Sequence, residues 1–294
     1  MPDLEALKRK IKTAEELTTI VQTMKVMAAT SIRQYEEVIH AVGESFLTVE
    51  SGLQIVLGQQ GRPKSDPRIG PSHHVGMIII GSDQGMCGGY NEQLALFVKD
   101  HKSRITTERH TMLVLGAQME RHFLPETADF RSSFGVSDSV AGIAPLVHQL
   151  LIEIDSWQED LGVDEVLLFH NVATKSAPFV PSVRQLLPLD PAWLQQLEER
   201  PWPTYGLPVF SMAWDRLFAS LIRHYLFISL YRAVAESLSS EHASRLIAMQ
   251  SAEQNILERL SENHAEFRHQ RQSVITEEIL DIMAGFEALT ARPF

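Results

Sequence analysis

Apolar residues recur every three or four positions over two long stretches, one toward each end of the chain. The first runs Leu4, Leu7, Ile11, Ala14, Thr18, Val21, Met24, Ala28, Ser31, Tyr35, Val38 and Val42, within residues 3–42 that hold no glycine and no proline. It continues more loosely through Phe46, Val49, Leu53 and Val56. The second runs Leu217, Leu221, Tyr225, Ile228, Tyr231, Ala235, Leu238, His242, Leu246, Met249, Ala252, Ile256, Leu260, Asn263, Phe267, Gln270 and Val274. It lies in a stretch free of glycine and proline from Val209 to Ala284. This is the seam of a coiled coil, with polar interruptions at His242, Asn263 and Gln270. At 1.5 Å rise per residue the two helices would be roughly 80 and roughly 110 Å long. The simplest partner for each is the other, antiparallel, with the middle of the chain inserted between them. The first helix is too short to cover the second, so the end toward Phe286 is expected to protrude.

The texture changes between the seams. Residues 58–74 carry glycines and prolines without periodicity and read as a linker. Apolar runs at 75–81, 111–116 and 164–170 then read as buried strands, with further strands at 130–134 and 182–187. Helical stretches at 90–104, 117–123 and 144–161 separate them. Strands apolar on both faces, alternating with helices, predict a small parallel α/β sheet of Rossmann-like kind. Residues 191–208 are proline-rich and read as a second linker. The predicted organisation is therefore a helix over 1–57, a linker over 58–74, an α/β domain over 75–190, a linker over 191–208 and a helix over 209–294.

Composition narrows the function. The chain of 294 residues has a formal net charge of -11, which argues against general nucleic-acid binding. Its one cysteine, Cys87, excludes an internal disulfide. The N-terminal residues lack the apolar core of a signal peptide, and no apolar run reaches the ~20 residues of a membrane span. Contact with a membrane is therefore expected only through partners.

Candidate chemistry is sparse. The segment GSDQGMCGGYN (81–91) joins a strand to a helix start, where free backbone N–H groups can hold an anion. It lacks the lysine of a P-loop and the spacing of a dinucleotide fingerprint. A tight structural turn, with Asp83 and Asn91 as turn and cap residues, is the plainer reading. Cys87 has no histidine in evident sequence relation to it, and the twelve histidines are scattered. Glu241 and His242 lie on the second seam as a register-setting polar contact. No metal, cofactor or catalytic group is implied. The segments 23–33 and 268–279 replace bulky seam residues by small and polar ones, as a bearing surface would.

At these segments the chain resembles the gamma subunit of F-type ATP synthase over nearly its whole length. TMKVMAATSIRQ (23–34), GSDQGMCGGYN, VPSVRQLLPL (180–189), 229–255 and 271–289 resemble that family's motifs in order. The resemblance implies a rotor: a coiled-coil shaft inside a ring of alpha and beta subunits, with the α/β domain outside it against the epsilon subunit and the c-ring. It implies a non-catalytic, peripheral subunit at the cytoplasmic side of the bacterial plasma membrane. It places Met24, Lys25, Arg271, Gln272 and Thr276 near the beta-subunit catch. It places Ile282, Met283, Phe286 and Leu289 in an apolar bearing. Ser31 and Gln84 depart from the family's usual lysine and arginine, and residues 188–208 match poorly. The start of the chain also resembles the divergent gamma subunits of sodium-associated ATPases. Proton and sodium ion both stay open as the transported species, because membrane subunits select it. A soluble nucleotide-binding enzyme built on residues 75–190 and a homodimeric coiled-coil scaffold are the competing readings.

Overall fold

The computed structural model describes residues 2–60, 74–105, 109–123, 130–202, 206 and 209–290. In chain order the elements are α1 (Pro2–Gln60), β1 (His74–Ile80), α2 (Tyr90–Arg104), β2 (Arg109–Leu115), α3 (Ala117–Glu120), β3 (Phe130–Phe134), α4 (Val140–Ser156), β4 (Glu165–Val172), β5 (Val180–Leu187), α5 (Pro191–Glu199) and α6 (Trp214–Thr290). The chain divides into two compact units, and the division cuts both long helices. One unit is Met1–Met27 with Leu246–Phe294; the other is Ala28–Arg245. Most of the expected first linker, residues 61–73, lies outside the described residues.

In the larger unit the sheet order is β3-β2-β1-β4-β5. The first four strands are parallel, as the apolar runs predict. The fifth, β5, runs antiparallel to β4, so the sheet is mixed rather than parallel. The physical reason is the short connection over residues 173–179: a parallel return needs a crossover of a dozen or more residues. Alternation along the strands splits the core into two layers. Val75, Met77, Ile79, Met112 and Val114 face Leu94, Val98 and Phe123 beside α2 and α3. Ile78, Ile80, Leu113, Leu115, Val166 and Leu168 face α4 and the long helices, packing with Leu150, Ile154, Trp157, Leu230, Val234 and Leu238. Both faces are covered, which is why these strands carry continuous apolar runs. Gly76 permits the closest approach in this layer, since a Cβ there would lie 2.6 Å from the Trp157 ring.

Residues 191–199, read as linker, form the helix α5 instead. Asp190 caps it by accepting from Ala192 N at 2.8 Å, and Pro191 occupies its first turn. Leu194 and Leu197, three apart, seat it against Val49, Leu53, Leu57 and Ile228 of the long helices. The second long helix begins at Trp214 rather than Val209.

In the smaller unit α1 and α6 lie antiparallel. Lys25 pairs with Glu253, while Leu4 and Lys8 line a groove with Phe267, Arg271 and Val274. Every residue of the second seam from Leu246 to Val274 is shielded at least partly, and every residue from Ile275 to Phe286 is exposed. Pairing therefore stops where α1 begins, and α6 runs on past it.

Candidate functional site

The 81–91 turn meets α6 in the larger unit. From Ile228 to Arg245 no residue of α6 is exposed, although the run holds Glu236, Ser237, Ser239, Ser240, Glu241, His242, Ser244 and Arg245. Burying that many polar groups is tolerable only if they find partners. Three serines on one face supply them. Ser237 Oγ donates to Ile80 O at 3.3 Å, Ser240 Oγ to Asn171 O at 3.1 Å and Ser244 Oγ to Cys87 O at 2.6 Å. Tyr90 Oη donates to Ser237 O at 2.8 Å, and burial pushes that phenol up from its ordinary value. Ile80 is the last residue of β1 and Asn171 the last but one of β4, the neighbours at which the strand order reverses. In open α/β sheets the crevice at that place is where nucleotides bind. Here a helix fills it.

The turn itself is held from all sides. Asp83 accepts from Ala117 N at 2.8 Å and Val136 N at 2.7 Å, as a turn residue. Asn91 does not cap α2. Its Oδ1 accepts from Ser82 N at 3.0 Å and its Nδ2 donates to Ser82 Oγ at 2.7 Å, so it staples the strand end to the helix start. Gly89 occupies the cap position. Gly88 has φ +60°, and Met86, though not glycine, also has φ 60° and is 62% exposed. A side chain in that conformation is uncommon. Cys87 is buried, and desolvation pushes its thiol up, so it is a packed side chain and not a ready nucleophile.

Two charged clusters lie on the buried part of α6. Glu236 accepts from His170 Nε2 at 3.0 Å and from Arg232 Nε at 2.7 Å. Burial alone would raise the Glu236 carboxyl; the hydrogen bonds from His170 and Arg232 win and hold it at about 2. Glu241 pairs with Arg245, and both are nearly inaccessible to solvent. Burial pushes Glu241 up to about 7, assisted by Asp138 and Asp83 and opposed by Arg245. His242, on the seam as expected, stacks on Tyr35 of α1 with ring centroids 5.7 Å apart. Burial, then the adjacent Arg245, lower it to about 4, so it is neutral. This buried polar belt is not legible from sequence as a site; its signal is SLSSEHASR, a helical stretch with serines three and four apart beside a Glu and an Arg.

The expected contact residues all fall in the smaller unit. Met24 is half-buried, and Lys25 is engaged by Glu253, which also accepts from Gln22 Nε2 at 3.1 Å. Arg271 and Gln272 are exposed, and Thr276 Oγ1 donates to Gln272 O at 2.8 Å. Lys25 and Arg271 are not brought together, because Glu253 precedes Arg271 by about 27 Å of helix. Ile282, Met283 and Phe286 are 72%, 57% and 67% exposed. The side chain of Leu289 lies outside the described residues. Among the described residues no group of three or more His, Cys, Asp or Glu could hold a metal ion, and no helix is long and apolar enough to cross a membrane.

A family model described as ATP synthase matches residues 3–289. Among curated proteins, the ATP synthase gamma chain of Synechococcus sp. (strain PCC 6716) is 26% identical, the match covering 98% of this chain and 100% of that one. The ATP synthase gamma chain of Saccharopolyspora erythraea is 27% identical, covering 96% and 93%. Among solved structures, a chain in the rotor of Euglena gracilis mitochondrial ATP synthase superposes with a TM-score of 0.66 at 14% identity, covering 93% of this chain and 99% of that chain. A chain in the central stalk and c-ring structure of the Tetrahymena thermophila mitochondrial enzyme gives 0.55 at 21% identity, covering 79% and 99%.

Proposed function

The chain belongs to the ATP synthase family as a gamma chain, and from that premise we infer that it is the central-stalk rotor subunit of an F-type complex. It couples ion flow through the membrane sector to ATP synthesis or hydrolysis in a ring of alpha and beta subunits. The observation that carries this reading is the paired seam of α1 and α6, with an exposed apolar end on α6 beyond it. A water-soluble monomer has little reason to expose Ile279, Leu280, Ile282, Met283 and Phe286 on one helix end. A socket in a surrounding ring gives them one.

The subunit does no chemistry by itself, and the catalytic residues belong to the beta subunits. An asymmetric shaft cannot touch three beta subunits alike, so each is biased toward a different nucleotide state. Met24, Lys25, Arg271, Gln272 and Thr276 contact the beta-subunit catch, and Ile282, Met283, Phe286 and Leu289 turn in the bearing. The α/β domain meets the epsilon subunit and the c-ring. The protein is then peripheral, on the cytoplasmic side of a bacterial plasma membrane. The α6 plug at the ends of β1 and β4 weighs against a nucleotide-binding enzyme, since the binding crevice is filled by the chain itself. Co-purification tests the assignment: a tagged copy expressed in its native host is expected to bring down alpha and beta subunits with ATPase activity. Recovery of the chain alone, free of partners, would contradict it.

A further inference from the structure

The Glu241–Arg245 pair does more than satisfy two buried charges. Arg245 Nη2 points past Glu241 to the backbone of the turn, donating to Gln84 O at 3.4 Å and Gly85 O at 3.5 Å. Its Nη1 meets His242 Nδ1 at 3.2 Å. Arginine only donates, so His242 Nδ1 accepts, and the imidazole is neutral with its proton on Nε2. That Nε2 and Arg245 Nε are both buried and without a partner among the described residues. The cluster therefore has donors to spare and one carboxylate to balance the guanidinium. The turn it grips is the one that displays Met86 in an uncommon backbone conformation.

We propose that Glu241 and Arg245 form a proton-controlled latch: while Glu241 is ionised, Arg245 clamps the carbonyls of Gln84 and Gly85 to α6, and protonation of Glu241 releases the turn. Removing the carboxylate's charge leaves a guanidinium buried without its counter-ion, which is strongly unfavourable. Arg245 then turns outward toward Asp83, Asp138 or water, and its two contacts to the turn are lost. The groups facing Glu241 from the surrounding elements are Tyr35 of α1, Asp83, Cys87 and Tyr90 of the turn and α2, Asp138 before α4, and Arg245 and His242 of α6. Tyr35 is pushed up to about 12 by burial, then by Asp138 and Glu241, and His242 is lowered to about 4. Neither changes charge near neutral pH, whereas Glu241, at about 7, does. The sign for the whole fold is separate. A carboxyl raised from 4.5 to about 7 takes up a proton on folding, so its contribution to stability declines as pH rises through that window.

The latch is a property of the chain alone and holds whether or not the chain turns inside a ring. Amide exchange over residues 82–91 of the full chain, read by mass spectrometry and corrected for the intrinsic rate, tests it. A group titrating near 7 changes its protonated fraction about tenfold between about pH 6 and about pH 8. The turn is therefore expected to exchange about tenfold faster at the lower pH. Glu241→Gln should exchange at the fast rate at both pH values, while Asp138→Asn, which removes a charge that helps raise Glu241, keeps a pH response moved to lower pH. Exchange independent of pH in the wild type overturns the latch, and so does a pH response that survives in Glu241→Gln. Should Glu241→Gln not fold, a response abolished at every pH in Asp138→Asn, rather than moved to lower pH, assigns the proton to Asp138 and overturns the latch equally.

Discussion

Glu236 shares its two carboxylate oxygens between His170 and Arg232, and its pKa is set by the contest between burial and those bonds. Because it is held at about 2, below its ordinary 4.5, its contribution to stability is present above about 4.5 and lost as pH falls toward 2. Glu236→Gln is expected to destabilise the chain by about 2 kcal/mol at neutral pH, since it leaves the Arg232 guanidinium and the His170 N–H poorly matched. It should also flatten the acid limb of a urea-melt series, and an unchanged acid limb would show that another carboxylate carries it. Gly76 sets a steric limit: with a Cβ 2.6 Å from the Trp157 ring, Gly76→Ala is expected to cost about 1–3 kcal/mol in chemical denaturation. Neither effect was legible in sequence. His170 and Glu236 lie 66 positions apart, and Trp157 reaches Gly76 only once the sheet is built.

The long helices were read well because a seam is a local signal with a fixed period. All the seam positions named on α1 from Leu4 to Val42 are shielded, and so are those on α6 from Leu217 to Val274. The helix α5 was missed because a nine-residue amphipathic stretch among prolines gives too short a period to register. Its cap was nonetheless on view in Asp190-Pro191, followed by Leu194 and Leu197. The antiparallel β5 was missed because strand direction is set by the length of the connection, which the apolar pattern does not record. At this scale the seam and the exposed end make opposite predictions. Leu53→Ala, at a fully buried seam position, should cost about 2–5 kcal/mol in the isolated chain. Ile282→Ala with Met283→Ala should leave isolated stability within about 0.5 kcal/mol. Calorimetry of the two variants side by side checks this; a large loss in the second would mean that the end packs on its own chain.

For the whole molecule, the proposed rotor role would draw on each of the two units separately. The larger one ties its sheet and the 81–91 turn to α6 through the serine face and Arg245, so in a rotor torque applied to the sheet would have a direct path into the helix. The smaller one presents polar residues at Arg271, Gln272 and Thr276, and an apolar end. The family motifs pointed to those residues; the geometry adds that Lys25 is already engaged by Glu253, at a different level of the shaft from Arg271. Arg271→Ala with Gln272→Ala is expected to lower coupled turnover of the assembled complex without unfolding the chain. Unchanged turnover would make that contact dispensable. Rotation itself is the most direct test. Lys175 is exposed between β4 and β5 and Cys87 is buried, so Lys175→Cys gives a single accessible thiol for a bead. With the alpha and beta ring fixed to a surface, addition of ATP should turn the bead continuously in one direction; a bead that stays still while the complex hydrolyses ATP would contradict the account.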